Sequence, residues 1–352
     1  MNILILLYFL INHSVLLFKC HIFMRLYSFM NNAYIKGTGS YAPENIVKND
    51  FFESVGSNDA WIQKNLGIKE RRISTGETTS DLAAMAGREA IKNAGLTPQD
   101  IDLIILATAT PDKLAPSCAC FVQEKIEAFN AVAFDISAVC SGALFATTTA
   151  VQYIKSGMYK NVLVIGADTF SNITDWNRRD AVFFGDGAGA MVISHTNEDK
   201  GFIDFLLHTD GRGKDCWNIP AGGSLTPTTP ETLEKGLQYF QMDGPAVFQT
   251  AIKVVPESIE RLLHRNNTHI DDIDFLIPHQ PSVRILEEVA KRISLPWEKV
   301  MTNMDRYANT SGGTIPIMLH ETVSKGKLKD GDMVLFAAVG AGWTWATSLY
   351  KW

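Results

Sequence analysis

The chain has 352 residues, of which 46% are hydrophobic and 20% are charged, and its formal net charge at pH 7 is −6. This composition is typical of a globular protein with a large core, and it excludes disorder as the main state. The acidic balance argues against broad nucleic-acid binding, which needs a basic surface. The length predicts two domains or two fused halves, and the odd number of five cysteines favours a reducing compartment over a disulfide framework.

Residues 1–29 differ from the rest of the chain. They are strongly apolar, yet Asn12, His13 and Lys19 interrupt them, so they contain no run of about 18 apolar residues that would span a membrane. They also lack the basic start and the small-residue cleavage site of a signal peptide. We therefore expect that translation starts at Met30 and that this leader is not part of the fold. A membrane-associated helix and a structural extension are the two alternatives.

Beyond Met30 the sequence predicts alternating strands and helices. Tyr34–Gly39 is a short strand, and Thr79–Gly95 is a helix because its apolar residues recur at helical spacing until a glycine ends it. Ile101–Ala107 is a nearly continuous apolar run, which suits a strand covered on both faces. Further runs of this kind are Ala131–Ile136, Val162–Ile165, Ala190–Ile193, Phe275–Ile277 and Val334–Ala338. Strands separated by helices predict an α/β fold.

A faint internal repeat indicates that the chain contains two similar halves. Asp100–Ile104 returns as Asp272–Leu276, and the pair at 162–163 returns at 334–335, so that both matches have an offset of 172 residues. Each copy has the order strand, small-residue loop, helix, strand. Two packed halves of this kind would bring their functional groups together at the seam between them.

The boundary between the halves is predicted near residues 197–201. It divides the fold into an N-terminal half, residues 30–198, and a C-terminal half, residues 199–352. The segment Thr209–Gly244 is rich in Gly, Pro and Thr and has no strong periodicity. It is either a long surface connection or a loop that covers a site.

Three small-residue loops, each after strand-like sequence, contain the residues with chemical potential. Cys140 precedes an apparent helix, whose unpaired N–H groups and positive end stabilise a thiolate. His279 directly follows a strand, at the place where ligands bind in α/β proteins. Asn309 lies just before another helix, where an asparagine often serves as a cap. Taken alone, each has a plain alternative: a buried structural cysteine, a core histidine and an ordinary helix cap.

These three residues, in this order and spacing, resemble the β-ketoacyl-acyl-carrier-protein synthase III family. The stretches Gly37–Tyr41, Phe184–Gly189 and Gly340–Trp345 agree with it, and the resemblance covers residues 32–352. It implies a thiolase-like five-layer αβαβα sandwich of two similar halves, a homodimer, and a catalytic triad with Cys140 as the nucleophile. It also implies an oxyanion hole made of the backbone N–H groups of Cys140 and Ala341.

The chemistry implied by this resemblance has two stages. Cys140 takes an acyl group from acyl-CoA, and malonyl-acyl-carrier protein then binds and loses carbon dioxide. His279 and Asn309 donate hydrogen bonds to the thioester oxygen that becomes negative, and the enolate attacks the acyl-cysteine. The implied enzyme is cytoplasmic, initiates fatty-acid synthesis and requires no metal or redox cofactor.

Binding residues are also implied by the resemblance. Trp61 and Arg178 match positions that hold the adenine of CoA between them, and Phe248 is a further CoA-binding position. Ala115 sits where some relatives have a bulky residue that closes the acyl pocket, so a small residue there favours a primer longer than acetyl. The positions that match a basic patch for the acidic carrier protein are Arg284, Lys291 and Arg292. An ordinary exposed helix face is the alternative for these three cations.

One departure from the family pattern keeps a second function open. The usual His-Gln-Ala-Asn is His279-Gln280-Pro281-Ser282 here, which alters a segment that supports the active site. The alternative is therefore a specialised acyltransferase of secondary metabolism, related to the same family but acting on another acceptor. A membrane-associated binding subunit is a third hypothesis that depends only on the leader, and membrane contact and nucleic-acid binding are not expected.

Overall fold

The computed structural model describes residues 32–352, so the leader and the expected start at Met30 lie outside it. The strands are β1 (Asn32–Tyr41), β2 (Ile46–Lys48), β3 (Glu70–Arg72), β4 (Leu103–Ala107), β5 (Val132–Ile136), β6 (Asn161–Asp168), β7 (Gly187–Thr196), β8 (Gly201–Thr209), β9 (Trp217–Asn218), β10 (Gln241–Met242), β11 (Phe275–Pro278), β12 (Met333–Gly340) and β13 (Thr344–Lys351). The helices are α1 (Asp59–Leu66), α2 (Thr79–Asn93), α3 (Cys118–Ile126), α4 (Gly142–Lys155), α5 (Pro230–Glu234), α6 (Gly244–Arg265), α7 (Val283–Arg292), α8 (Met304–Tyr307) and α9 (Thr314–Ser324). Within these residues, no helix is both long and apolar enough to cross a membrane.

Strands from the first half of the chain form one sheet, in the order β1-β7-β6-β4-β5. β4 runs parallel to β5 and β6, while β7 is antiparallel to β1 and β6. Every residue of β4 is buried, because helices cover both faces of the sheet at this strand. The continuous apolar run seen in the sequence is therefore the central part of a doubly covered sheet.

Strands from the second half form another sheet, in the order β11-β12-β13-β8. β11 and β12 are parallel, and β13 is antiparallel to both of its neighbours. In β12, the side chains of alternate residues belong to two different clusters of the core, as expected for a strand whose two faces are both buried.

The two sheets and three helical layers form a five-layer sandwich. α2 and α3 cover the outer face of the first sheet, and α6 and α7 cover the outer face of the second. α4 and α9 lie between the sheets and share one core with both of them. The thiolase-like αβαβα architecture expected from the sequence is present.

The predicted repeat is visible in the strand register. Leu103 of β4 pairs with Val162 of β6, and Phe275 of β11 pairs with Val334 of β12, so both members of the second pair lie 172 residues after those of the first. The 3₁₀ turns at 139–141 and 311–313, which precede α4 and α9, have the same offset. The offset holds from the strands into the loops that contain the candidate residues.

The long segment after β8 is folded against the body of the protein. β9 and β10, which pair with each other, both belong to it. Its residues Trp217 and Phe240 stack on one another beside Phe170 and Phe184. Of the two alternatives left open by the sequence, this packing favours the loop that covers a site.

Candidate active site

Cys140 lies in the 3₁₀ turn Val139–Ser141, directly before α4. Val139 has φ 46°, in the left-handed region that a β-branched residue seldom adopts. Such strain persists only where the surroundings fix it, and it is concentrated at functional sites. The turn places the Cys140 sulfur at the N-terminus of a helix, as the sequence predicts.

The thiol of Cys140 is not ionised in this resting structure. Burial raises its pKa to about 12, the nearby Asp168 carboxylate adds to the increase, and the Ser311 hydroxyl opposes it. The thiolate expected from the helix N-terminus is therefore not the resting state. Loss of hydration outweighs the helix end here, and loading an acyl group requires an acceptor for the thiol proton.

The end of β12 packs directly against the nucleophile turn. A Cβ added to Gly340 would lie 3.0 Å from the Cys140 nitrogen and 2.8 Å from the Ala138 oxygen, so only glycine permits this approach. Ala341 is the next residue along the chain. Thr344 Oγ1 lies 3.2 Å from the Ala138 oxygen and fastens the same turn from β13.

His279 follows β11 and is 4% exposed. Its backbone N–H donates to the Ala337 oxygen of β12 at 2.8 Å, which continues the parallel pairing. Thr314 Oγ1 lies 2.8 Å from the ring Nδ1. The one proton of the Thr314 hydroxyl can point to the Ser311 oxygen, 2.9 Å away, or to Nδ1; in the second orientation the ring proton is on Nε2, which can then donate to a substrate oxygen. Burial lowers the pKa of His279 to about 3, so the imidazole is neutral.

Asn309 is fixed by its backbone and by one oxygen of its side chain. It forms a parallel bridge with Phe184, and its Oδ1 accepts a hydrogen bond from the Ser311 N–H at 2.8 Å. The amide orientation that follows leaves Nδ2, a donor, for other partners. The neighbouring Ala308 and Ser311 both have positive φ, 54° and 50°, so this loop is strained on both sides of Asn309.

The structure brings the three loops together at the seam between the sheets. The turn at Cys140 packs against the turn at 311–313, which follows Asn309. Thr314 links that turn to His279, because its hydroxyl is within hydrogen-bond distance of the Ser311 oxygen and of the His279 ring. A thiol, a neutral imidazole and a carboxamide are therefore brought to one region.

A cavity of about 570 Å³ leads from the surface to Asn309. Trp61, Phe248 and Arg284 line it, and Phe184 lies beside Asn309 in its wall. The cavity is of ordinary size for a small-molecule site, with mostly apolar walls and few polar groups. Pro281 and Ser282, where the sequence departs from the family pattern, also line it; the Ser282 hydroxyl caps α7 by accepting from the Ile285 N–H.

The structure differs from the expected pairing of Trp61 with Arg178. The guanidinium over the Trp61 ring belongs to Arg179, with its Cζ 4.7 Å from the ring centroid. Arg178 instead forms an ion pair with Asp180 and lies over Phe240, 5.8 Å from the ring centroid. The sequence cannot separate two adjacent arginines, because the local turn decides which one faces α1.

The other predicted binding residues lie at the surface. Ala115 is exposed beside the prominent Leu114 and does not line the cavity. Arg284, Lys291 and Arg292 are exposed on α7, where Arg292 donates to Glu288 at 2.9 Å. Arg284 donates to Asn65 at 3.0 Å and stands at the cavity mouth.

Comparisons with known proteins identify one family. Residues 134–211 match the model described as 3-Oxoacyl-[acyl-carrier-protein (ACP)] synthase III, and residues 263–352 match the model of its C terminal. The β-ketoacyl-[acyl-carrier-protein] synthase III of Caldanaerobacter subterraneus subsp. tengcongensis is 47% identical over 321 residues, 90% of this chain and 97% of that protein. The protein of the same name from Clostridioides difficile is also 47% identical, over 90% of this chain and 98% of its own length. This chain belongs to the β-ketoacyl-acyl-carrier-protein synthase III family.

Solved structures of synthase III proteins have the same fold. The one from Aquifex aeolicus has a TM-score of 0.85 and 39% identity and covers 91% of this chain and 100% of that one. The one from Thermus thermophilus has a TM-score of 0.84 and 36% identity, over 91% and 99%. The family and the fold expected from the sequence are confirmed, and this synthase III homologue is an acyltransferase.

Sequence reasoning did not identify several residues of this synthase III site. Thr314 at the His279 ring, Ser311 and Asp168 near the thiol, and Arg179 over Trp61 were all missed. It also missed the aromatic cluster beside Val139, whose members are Phe170, Phe184, Trp217 and Phe240. Hydroxyls and carboxylates are common, so only the fold reveals which of them meet.

The pH dependence of decarboxylation tests the state of His279. Because burial lowers its pKa to about 3, His279 should remain neutral from pH 5.5 to 8, whereas an ordinary histidine would gain a proton near 6.5. Carbon dioxide release from saturating malonyl-carrier protein should therefore show no inflection near pH 6.5. His279→Ala should lower that rate by about 100-fold or more, as expected for losing a donor to a developing charge. An inflection near 6.5 that vanishes in His279→Asn would contradict the assignment.

Proposed function

We propose that this chain is a β-ketoacyl-acyl-carrier-protein synthase III that joins an acyl-CoA primer to malonyl-acyl-carrier protein and so initiates fatty-acid synthesis. The observation that carries the proposal is the convergence of Cys140, His279 and Asn309 at the seam, with a cavity that leads inward to Asn309. The names of the similar proteins support the same activity.

In the first stage, the Cys140 sulfur attacks the thioester carbonyl of acyl-CoA, and CoA departs as the thiol. The carbonyl oxygen becomes negative in the tetrahedral intermediate. The backbone N–H groups of Cys140 and Ala341 are proposed as its donors, and the close approach of Gly340 to the nucleophile turn supports this. A preorganised donor of this kind is worth about 2.7–4 kcal/mol to the transition state.

In the second stage, malonyl-carrier protein occupies the same cavity. Loss of carbon dioxide leaves an enolate, whose oxygen is stabilised by hydrogen bonds from His279 Nε2 and Asn309 Nδ2. The enolate carbon attacks the acyl-cysteine carbonyl, which yields the β-ketoacyl product and frees the sulfur. Each step uses groups supplied by this chain and the two thioesters, so we propose that no metal or redox cofactor takes part, and that the enzyme acts in the cytoplasm.

We propose that CoA enters along the cavity, with its adenine on Trp61 and with Phe248 in the cavity wall. Arg178 was expected to cover the adenine, but the contact of Arg179 with Trp61 favours Arg179 as the covering cation. Ala115 is proposed to leave room for a longer primer toward a second subunit. The halves 30–198 and 199–352 are proposed as the two structural units that meet at this seam.

The loading of Cys140 is the direct test of this function. Each of a panel of acetyl-, longer and branched acyl-CoAs is mixed with the protein, the reaction is quenched, and the intact mass reports the added acyl group. Malonyl-carrier protein is then added, and carbon dioxide and β-ketoacyl product are measured. We expect one acyl group per chain, loss of loading in Cys140→Ser, and weaker use of CoA substrates in Trp61→Ala and Arg179→Ala than in Arg178→Ala.

Two outcomes would contradict this function. Loading that is unchanged in Cys140→Ser would remove the nucleophile. Loading without carbon dioxide release would favour the specialised acyltransferase that the Pro281-Ser282 departure keeps open. A strong preference for acetyl-CoA over the longer members of the panel would contradict the role given to Ala115.

The carrier protein is proposed to dock on the exposed cations of α7. Charge reversal in Arg284→Glu should raise the KM for malonyl-carrier protein by about tenfold, because an acidic partner then meets a like charge. Acyl transfer from CoA to Cys140 should change little. Lys92→Glu, at an exposed position of α2 on the opposite outer layer, is the matched control. Equal carrier kinetics in both variants would contradict docking on α7.

A homodimer is proposed to form along β5. β5 is an edge strand of its sheet; Val132, its first residue, is 50% exposed, and Phe129, shortly before it, is 67% exposed. An unpaired apolar edge strand invites pairing with a second strand. Sedimentation at micromolar concentration should give twice the chain mass of 38.9 kDa, and Val132→Glu should shift it toward one chain. A single-chain mass for the unaltered protein would contradict the dimer.

A further inference from the structure

A buried carboxylate that the proposed reaction does not use lies close to the nucleophile. Asp168, the last residue of β6, is fully buried. Its Oδ1 accepts hydrogen bonds from the Ala109 N–H at 2.7 Å and from the Thr108 and Thr110 hydroxyls, both at 3.1 Å. In the part of the chain that the structure describes, no cation forms an ion pair with it. An uncompensated carboxylate in a core is costly, so it calls for a role.

The second oxygen of Asp168 faces the turn that follows Asn309. Oδ2 accepts a hydrogen bond from the Gly312 N–H at 3.1 Å. A Cβ on Gly312 would lie 3.4 Å from this oxygen and 3.5 Å from the Val139 oxygen. Gly312 therefore lies between the carboxylate and the nucleophile turn. Within residues 32–352, Gly312 is the one donor found on Oδ2, which leaves a lone pair to accept a proton.

The Ser311 hydroxyl lies between the two acids. It is fully buried, and it has no hydrogen-bond partner of ordinary geometry among the described residues. Its turn packs against the turn of Cys140, and the next residue, Gly312, donates to Asp168, so the hydroxyl lies in the region between the two acids and lowers the pKa of each. A buried hydroxyl without a fixed partner is costly, and it is free to turn its proton toward either neighbour.

We propose that Ser311 and Asp168 form a proton relay that accepts the Cys140 thiol proton during acyl loading and returns it when condensation frees the sulfur. This relay rests on the proposed function, since it serves the acyl-cysteine intermediate. It supplies the acceptor that a protonated thiol needs and that the helix N-terminus alone does not provide.

The proton balance of the relay closes over one catalytic cycle. As the Cys140 S–H bond breaks, its proton passes to Ser311 Oγ, and the hydroxyl proton of Ser311 passes to Asp168. The sulfur attacks acyl-CoA, and the departing CoA thiolate takes a proton from water. When the enolate displaces the sulfur, Asp168 returns its proton through Ser311, which restores the thiol. The cycle takes up one proton from water, as decarboxylation of a malonyl carboxylate requires.

Electrostatics favour Asp168 over His279 as the acceptor. Transfer to Asp168 moves one negative charge from oxygen to sulfur and creates no additional charge in the interior. Transfer to His279 would create an imidazolium, and burial already lowers the pKa of that ring to about 3. Burial raises the pKa of Asp168 to about 6, so the carboxylate is ionised at neutral pH and still accepts a proton more readily than an exposed one.

The titratable surroundings of Asp168 are few. Cys140 faces it from the nucleophile turn, and the loops at 108–110 and 311–313 bring only hydroxyls and amides. On β7 its strand partner is Gly187, and the adjacent Asp186 turns its carboxylate away, toward Ser74 and Ser171. Asp186 is also fully buried and accepts three hydrogen bonds, which makes it a matched control.

The test separates proton transfer from structure. Single-turnover acyl transfer from acetyl-CoA is measured from pH 5 to 9 by quenching and intact mass, in parallel with carbon dioxide release from malonyl-carrier protein. In the unaltered protein, the transfer rate should rise through about pH 6 as Asp168 ionises. In Asp168→Asn and Ser311→Ala it should fall about 100-fold at pH 7.5 and lose that inflection. Decarboxylation, which needs no thiol proton, should change less than about threefold.

Controls make the outcomes distinguishable. Ser311→Ala removes a hydroxyl without a hydrogen bond, so it should fold even if Asp168→Asn does not, and the double variant should be no slower than the slower single one. Asp186→Asn should keep the pH profile. Transfer within about twofold of the unaltered rate in Ser311→Ala, or equal losses in transfer and decarboxylation, would overturn the relay. Absence of loading in the unaltered protein would instead overturn the proposed function.

Discussion

The site depends on backbone segments from the two sheets approaching so closely that no side chain fits between them. A Cβ on Gly166 of β6 would lie 2.1 Å from the Gly312 oxygen, and one on Gly340 of β12 would lie 3.0 Å from the Cys140 nitrogen. These contacts join the turn of one half to the strand end of the other, in both directions. Since the contacts are backbone to backbone, they fix the positions of the loops more firmly than flexible side chains would.

Close packing at the seam also determines the protonation states there. It removes water from the thiol, the imidazole and the Asp168 carboxylate, and in each case burial shifts the pKa toward the neutral form. The balance of the shifts leaves one negative charge, on Asp168, beside a thiol and an imidazole that are both uncharged. A dry site strengthens hydrogen bonds to a developing oxyanion, but it also makes creating a thiolate expensive. The same packing therefore assists the stabilisation of the oxyanion and makes ionisation of the Cys140 thiol more costly.

The sequence predicted the strands, the two similar halves and the three loops, because apolar runs and the 172-residue offset are local or periodic signals, whereas the five layers were implied by the family resemblance. It also placed Cys140 at a helix N-terminus correctly. The sequence-based predictions differ from the structure in two situations: where two physical effects oppose each other, and where the backbone conformation decides which of two adjacent residues makes a contact. The helix end predicted an ionised Cys140, but burial has the larger effect, and burial at the seam is a property of the assembled halves. Arg178 and Arg179 are adjacent residues of the same type, and only the backbone of the 3₁₀ turn that begins at Arg179 decides which side chain lies over Trp61.

The internal repeat explains why the chemistry is divided between the halves. With an offset of 172, Cys140 corresponds to Gly312, since 140 + 172 = 312, and Asp168 corresponds to Gly340. The contacts correspond as well: Asp168 accepts from Gly312 N, while Gly340 packs on Cys140 N. In both pairs the first half supplies the reactive side chain and the second half supplies the glycine. Two reactive side chains would collide at such short distances. A site of this kind therefore requires two halves that share the same backbone geometry but have different side chains at the corresponding positions.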